Sequence, residues 1–159
     1  MAEERNLVIL TQMRKIIRSL NIENKRIQKE FDLTIPQLLT LRHLQKSPKY
    51  VSNAKLIRDE LLLNASTVSG ILQRLEKKEL IAKLSKTGDK RITRITLTAE
   101  GLKKLEAAPL SLFEKLDNGL DQLPKRQLAK IEESFKILVQ ILDAEDLDAS
   151  PLLTTEEFI

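Results

Sequence analysis

The sequence predicts a mainly α fold that carries one small β-hairpin, with further helices at both ends. Three observations predict it. The 159 residues are rich in Leu, Ile, Lys and Glu and include only four glycines and five prolines, a composition that favours helix. Apolar residues recur at helical spacing along most of the chain. Between Leu80 and Leu97 that period gives way to alternation with β-branched residues, around the turn-like Thr87-Gly88-Asp89-Lys90.

From Leu7 to Phe31, the residues Leu10, Met13, Ile16, Ile17, Leu20, Ile27 and Phe31 mark one long helix. Thr34 is placed to cap a second helix, with Pro36 in its first turn and Leu38, Leu39, Leu41 and Leu44 on its apolar face; Ser47-Pro48 ends it. Tyr50-Val51 reads as a brief extended piece. Ser52 or Asn53 then caps a short helix with Leu56, Ile57 and Leu61 inward. Asn64 caps the next, with Val68, Ile71, Leu72 and Leu75 inward.

Ile81–Lys83 and Ile92–Leu97 form the two arms of the hairpin. Thr98 caps a helix containing Leu102 and Leu105 and, beyond Pro109, Leu112, Phe113 and Leu116; Pro109 should kink or break it. Gly119 and Leu123-Pro124 make the next boundary. The last helix, about Lys125 to Leu142, carries Leu128, Ile131, Phe135, Leu138 and Leu142 on one face, with Ile137, Val139 and Ile141 beside it. That apolar surface is wider than packing onto one neighbour demands. A homodimer formed by the N- and C-terminal helices would cover it. The expected organisation is a helical dimerisation region over 1–33 and 102–145, a central lobe over 34–101 that holds the hairpin, and an acidic tail over 146–159.

Composition excludes several classes of function. With no cysteine, there are no disulfides, thiolate ligands, cysteine nucleophiles or thiol redox sensors. One histidine, His43, leaves almost nothing for a zinc site. The opening MAEERNLVIL lacks a basic n-region, and no apolar run approaches the roughly 18 residues of a membrane span. A soluble cytoplasmic protein is the expectation. His43 is expected to be half-buried or dimer-facing rather than catalytic. No Gly-rich phosphate loop precedes a helix, and no serine or carboxylate pair has an identifiable partner, so neither an enzyme nor a cofactor is indicated.

Charge is distributed unevenly. Residues 1–63 carry 12 Lys/Arg against 7 Asp/Glu, residues 64–94 carry 8 against 3, and residues 95–159 carry 7 against 13. The densest basic segment is therefore the one holding the Asn64 helix and the hairpin, as phosphate contacts would require. A helix that enters the major groove needs short polar side chains near its N-terminus and an apolar rear face. Asn64, Ser66, Thr67, Ser69, Gln73 and Arg74 supply that polar face. Gly70 sits mid-helix, where it costs about 1 kcal/mol relative to alanine; close approach of the backbone to DNA or to a neighbouring helix would account for it. In the hairpin, Arg91 stands just past the turn among Lys86, Lys90 and Arg94, with Asp89 two residues before it. A guanidinium at a hairpin tip can enter a narrow minor groove, where negative potential is enhanced. Asp89 would hold Arg91 extended by a charge-assisted bond. The pattern is that of a winged helix-turn-helix.

The segment STVSGILQRLEKKELI followed by DKRITRITLTAEG resembles the MarR family of bacterial transcriptional regulators. Members typically show a Leu-Glu-Lys-Lys-Gly-Leu-Ile turn and an Asp-x-Arg wing ending in Leu-Thr-x-x-Gly, here Asp89, Arg91, Leu97, Thr98 and Gly101. The resemblance implies a triangular homodimer with two winged-helix lobes that binds a pseudo-palindromic operator in double-stranded DNA, usually as a repressor. It further implies release of DNA when a small ligand, commonly phenolic or anionic, binds between the dimer helices and the lobe. On that pattern Ser66, Thr67 and Ser69 fall at major-groove positions and Arg91 at the minor-groove wing tip. Two residues depart from it: Glu79 replaces the usual glycine after the recognition helix, and Gly70 stands where a long polar residue is common. Glu79 would be strained in a left-handed cap, or the turn would differ. The C-terminal LDASPLL resembles a subgroup associated with compatible-solute synthesis genes, which makes an ionic or osmotic signal an expectation. The competing function is a winged helix used for protein contact without DNA, against which the charge excess of 64–94 speaks.

Overall fold

A computed structural model describes residues 2–84 and 92–147 of the chain. It begins with the long helix α1 (Ala2–Phe31), followed by α2 (Ile35–Lys46), a 3-10 turn (Pro48–Tyr50) and strand β1 (Val51–Asn53). Helices α3 (Ala54–Leu61) and α4 (Ala65–Lys77) come next, then β2 (Ile81–Lys83) and β3 (Arg94–Leu97). Three helices close the described chain: α5 (Ala99–Ala107), α6 (Leu112–Asp121) and α7 (Lys125–Ile141).

The helix starts follow from their caps. Thr34 and Gln37 form a reciprocal capping box at α2, with Pro36 in the first turn. Asn53 rather than Ser52 caps α3, accepting from Leu56 N at 3.0 Å. Thr98 caps α5 through Gly101 N at 3.0 Å. Pro109 breaks rather than kinks the helix expected after Thr98: α5 stops at Ala107, and α6 restarts on a second capping box between Ser111 and Glu114.

The sheet has one strand more than the expected hairpin. β2 and β3 pair antiparallel, Ala82 opposite Thr96, and β1 adds to the other edge of β3, Ser52 opposite Ile95. Lys49 and Tyr50, both at positive φ, turn the chain so that the short extended piece lies along β3. The core beneath is apolar and continuous. It joins Leu38, Leu41 and Leu44 of α2, Ile57 of α3, Val68, Ile71 and Leu75 of α4, Ile95 and Leu97 of β3, and Leu105 of α5. From α1 only the C-terminal part enters it, through Ile27.

The rest of α1 and all of α7 are different. Leu7, Leu10, Ile16, Ile17 and Ile22 of α1 are exposed, as are Leu128, Phe135, Ile137, Val139 and Ile141 of α7. No residue of α7 is buried. No described helix is long and apolar enough to cross a membrane.

Candidate nucleic-acid interface

α4 is built to show one polar face. Val68, Ile71, Leu72 and Leu75 are buried, so the opposite side of the helix carries Ser66, Ser69, Gly70, Gln73 and Lys77. Ser66, Ser69, Gln73 and Arg74 are exposed and Thr67 half-buried. Asn64 closes the N-terminus: its Oδ1 accepts from Thr67 N at 2.7 Å and from the Ser66 hydroxyl at 2.7 Å. The remaining first-turn N–H groups and the positive end of the helix dipole are left facing outward. A Cβ added at Gly70 would meet nothing within 4 Å. Of the two reasons for a glycine there, approach to a neighbouring helix finds no support among the described residues.

The corner after α4 settles what Glu79 does. Its φ is 58°, the left-handed region that glycine occupies at low cost. The bonds are those of a Schellman cap: Leu80 N donates to Leu75 O at 3.0 Å and Glu79 N to Glu76 O at 2.9 Å. The turn is therefore the usual one, adopted by a residue that pays conformational strain for it. Thr98 clasps the same corner, its hydroxyl donating to Glu79 O at 2.8 Å and its N–H to Leu80 O at 3.1 Å. Gly101 presses directly on it, since a Cβ there would lie 2.1 Å from Leu80 O.

The basic residues of the segment divide into two sets. Lys78 pairs with Asp32 at the end of α1, at 2.9 Å, tying the lobe to that helix, and Lys83 pairs with Glu76 at 2.6 Å, tying β2 to α4. Arg94 is exposed at the start of β3, opposite Asn53. Lys86, Asp89, Lys90 and Arg91, and with them the expected Asp89–Arg91 bond, lie outside the described residues.

His43 corrects an expectation. It is neither half-buried nor turned outward: it is 7% exposed and bonded on both ring nitrogens, Nδ1 to Glu60 Oε2 at 2.8 Å and Nε2 to Ser52 Oγ at 2.7 Å. Serine, histidine and carboxylate in that order match the atoms of a hydrolytic relay. Ser52, however, is itself buried inside the lobe, where no substrate carbonyl could reach its oxygen. The arrangement joins α2, β1 and α3. Its partners lie 9 and 17 residues away, so no local spacing announces them.

A cavity of about 500 Å³ separates the lobe from the flanking helices. Leu20 of α1, Leu39 of α2, Leu61 of α3 and Phe113 of α6 supply apolar walls. Polar groups bridge the two parts at its edge. Arg42 Nε faces Glu114 Oε1 at 3.1 Å, an ion pair without hydrogen-bond alignment, and Arg42 Nη2 donates to Ala108 O at 3.2 Å. Behind it the buried Glu23 carboxylate of α1 accepts from Leu112 N at 2.8 and 2.9 Å, binding α1 to the start of α6. None of these residues stands out in the sequence.

Comparison with known proteins bears on this arrangement. A model of the MarR family matches residues 31–92, which run from the end of α1 through the recognition-type helix α4 into the hairpin. S. aureus MepR in its DNA complex is 25% identical, with 84% of this chain and 96% of that one covered and a TM-score of 0.60. Over residues 31–92 the chain is similar to the MarR family. Two more distant MarR-like folds agree across nearly the whole length. Sco3205, a MarR family transcriptional regulator from Streptomyces coelicolor solved with DNA, is 22% identical, covers 93% of this chain and 94% of its own, and has a TM-score of 0.66. The transcriptional regulator BldR from Sulfolobus solfataricus is 20% identical, with 90% and 98% covered and a TM-score of 0.56. A search of curated proteins finds no match. MarR proteins are transcriptional regulators rather than enzymes, in keeping with the buried setting of Ser52 and His43.

Proposed function

We propose that this chain is a homodimeric, sequence-specific DNA-binding transcriptional regulator of the MarR family that represses from a pseudo-palindromic operator. The observation that carries the reading is α4: a capped helix with an exposed row of Ser66, Ser69 and Gln73 on the side opposite its buried leucines. Short polar side chains there can reach base edges in the major groove, while outward N–H groups hold phosphate. Gly70 in the middle of that row lets the helix backbone sit close to the bases. Asn64, Thr67 and Arg74 flank it, and Lys86, Asp89, Lys90, Arg91 and Arg94 are the further residues we assign to DNA binding. S. aureus MepR and Sco3205 are both solved with DNA, which supports DNA as the partner of this lobe.

The exposed apolar surfaces of α1 and α7 support dimerisation through residues 1–33 and 102–145, with 34–101 as the reading lobe. Burying the remaining exposed half of side chains such as Ile16, at 52%, and Phe135, at 53% exposure, would contribute about 0.8–1.5 kcal/mol each. Two lobes so joined would address half-sites about one helical turn apart, roughly 34–36 Å. The cavity between lobe and dimer helices is the site for a small effector that releases DNA. Compatible-solute genes are the first targets to examine.

The test is footprinting on DNA upstream of the protein's own gene and its neighbours, followed by Arg91→Ala. We expect a protected palindrome. The variant should bind more weakly and lose about two units of salt slope, one for each protomer's Arg91, while remaining dimeric. Unchanged affinity and slope would remove the wing from the reading. Absence of any protected site would favour a winged helix that contacts protein.

A further inference from the structure

The cavity between the lobe and the flanking helices has a charge character that sets what it can hold. Its volume, about 500 Å³, lies within the roughly 300–1,000 Å³ of small-molecule sites, and Leu39, Leu61 and Phe113 give it apolar walls. Three carboxylates stand around it, Glu60, Glu114 and Asp117, against two cations, Arg42 and Lys46. The two signs are not equally available. Arg42 is already engaged by the Glu114 carboxylate at 3.1 Å, the Ala108 carbonyl at 3.2 Å and the Gln45 side chain at 3.5 Å. An entering anion would have to strip it from all three. The same pair consumes Glu114, whose other oxygen accepts from Ser111 N at 2.8 Å.

What remains free is mostly negative. Asp117 is exposed and makes no hydrogen bond or ion pair among the described residues. Glu60 gives one oxygen to His43 and keeps its side chain 57% exposed. Lys46 alone opposes them, exposed at the end of α2. Two carboxylates with spare acceptor capacity beside an apolar wall favour a ligand that is apolar at one end and cationic at the other. The Phe113 ring can add a cation–π contact to the same head group.

We propose that this cavity takes an amphipathic organic cation, its apolar body against Leu39, Leu61 and Phe113 and its ammonium head between Glu60 and Asp117. The assignment departs from the phenolic or anionic ligand that the family resemblance implies. It rests, for its regulatory consequence only, on the reading of the cavity as the effector site.

The test uses the full chain and three naphthalenes of one shape, 2-naphthylmethylammonium, 2-naphthalenemethanol and 2-naphthoate, titrated calorimetrically at neutral pH and low salt. We expect the ammonium to bind about tenfold or more tightly than the carboxylate, with the alcohol between. The double variant Glu60→Gln/Asp117→Asn changes two exposed side chains and should bring ammonium and alcohol to within about threefold of each other. Naphthoate binding as tightly as the ammonium overturns the proposal. So does failure of all three to bind at millimolar concentration, or a preference that survives the double variant. Ammonium binding as expected without release of footprinted DNA upholds the ligand class and overturns the effector reading.

Discussion

Gly101 and Gly70 predict opposite outcomes for one substitution. Gly101 lies in the first turn of α5, and a Cβ there would come within 2.1 Å of Leu80 O and 2.8 Å of Leu97 Cδ1. Leu97 could rotate; the Leu80 carbonyl could not, because it accepts from Thr98 N at 3.1 Å and belongs to the cap of α4. Restoring an ordinary carbon–oxygen separation requires a shift of about 1 Å, an overpacking cost of roughly 1–3 kcal/mol. Loosening the Thr98 bond adds about 1 kcal/mol. The better helix propensity of alanine returns up to about 1 kcal/mol. Gly101→Ala should therefore lose about 2 kcal/mol and lower Tm by roughly 4–8 °C. Gly70, with nothing within 4 Å of its added Cβ, has only the propensity gain. Gly70→Ala should raise Tm by roughly 2–4 °C. Thermal unfolding followed by helical circular dichroism, at one fixed protein concentration because the proposed dimer would make Tm concentration-dependent, measures both. A Gly101→Ala protein at or above the parent Tm would refute the packing of α5 onto the α4 corner.

Glu79→Gly relieves a left-handed residue worth about 1–2 kcal/mol of strain and gives back part of it to the unfolded chain; Tm should rise by roughly 1–3 °C, and a fall would mean that the Glu79 side chain stabilises the corner. Glu23→Ala strips the acceptor from Leu112 N and should cost about 1–3 kcal/mol in chemical denaturation, with Glu23→Gln, which keeps one carbonyl oxygen, recovering most of it. Removal of residues 125–159 deletes α7 and should abolish the dimer, leaving a monomeric or aggregating chain by sedimentation; a truncated chain that stays dimeric locates the interface elsewhere.

The parts of this molecule legible in its sequence are those fixed by local chemistry. Thr34, Asn64 and Thr98 announce their helices because a cap needs only the next three residues. The change of period at Leu80 announces the hairpin because β-branched alternation suits a pleated strand and not a helix. Even the break at Pro109 has a local signal, the Ser111-x-x-Glu114 capping box that restarts α6. β1 is harder. Three residues carry no period, and Val51–Asn53 becomes a strand only because β3 offers it a free edge. Glu79 is harder still: propensity argues against a left-handed glutamate, and the Schellman bonds together with the Thr98 clasp overrule it.

What the sequence conceals is the polar junction between lobe and flanking helices, and the reason is distance along the chain. Arg42 reaches Ala108 across 66 residues and Glu23 reaches Leu112 across 89. No pattern of period or spacing links such positions. Physically, this junction is also where a small ligand would have most leverage. α1 enters the apolar core only through Ile27 and neighbouring C-terminal residues, so its attachment to α6 relies on the buried Glu23 carboxylate, and the attachment of α6 to α2 on Arg42 and Glu114. Apolar seams slide with small changes in energy, whereas a buried polar cluster is stable when complete and costly when one partner is drawn away. Arg42 and Glu114 line the cavity as well as the junction. A charged head group arriving beside them would therefore act on the bonds that set the lobe against the flanking helices, and thereby, in the proposed dimer, on the spacing of its two α4 helices.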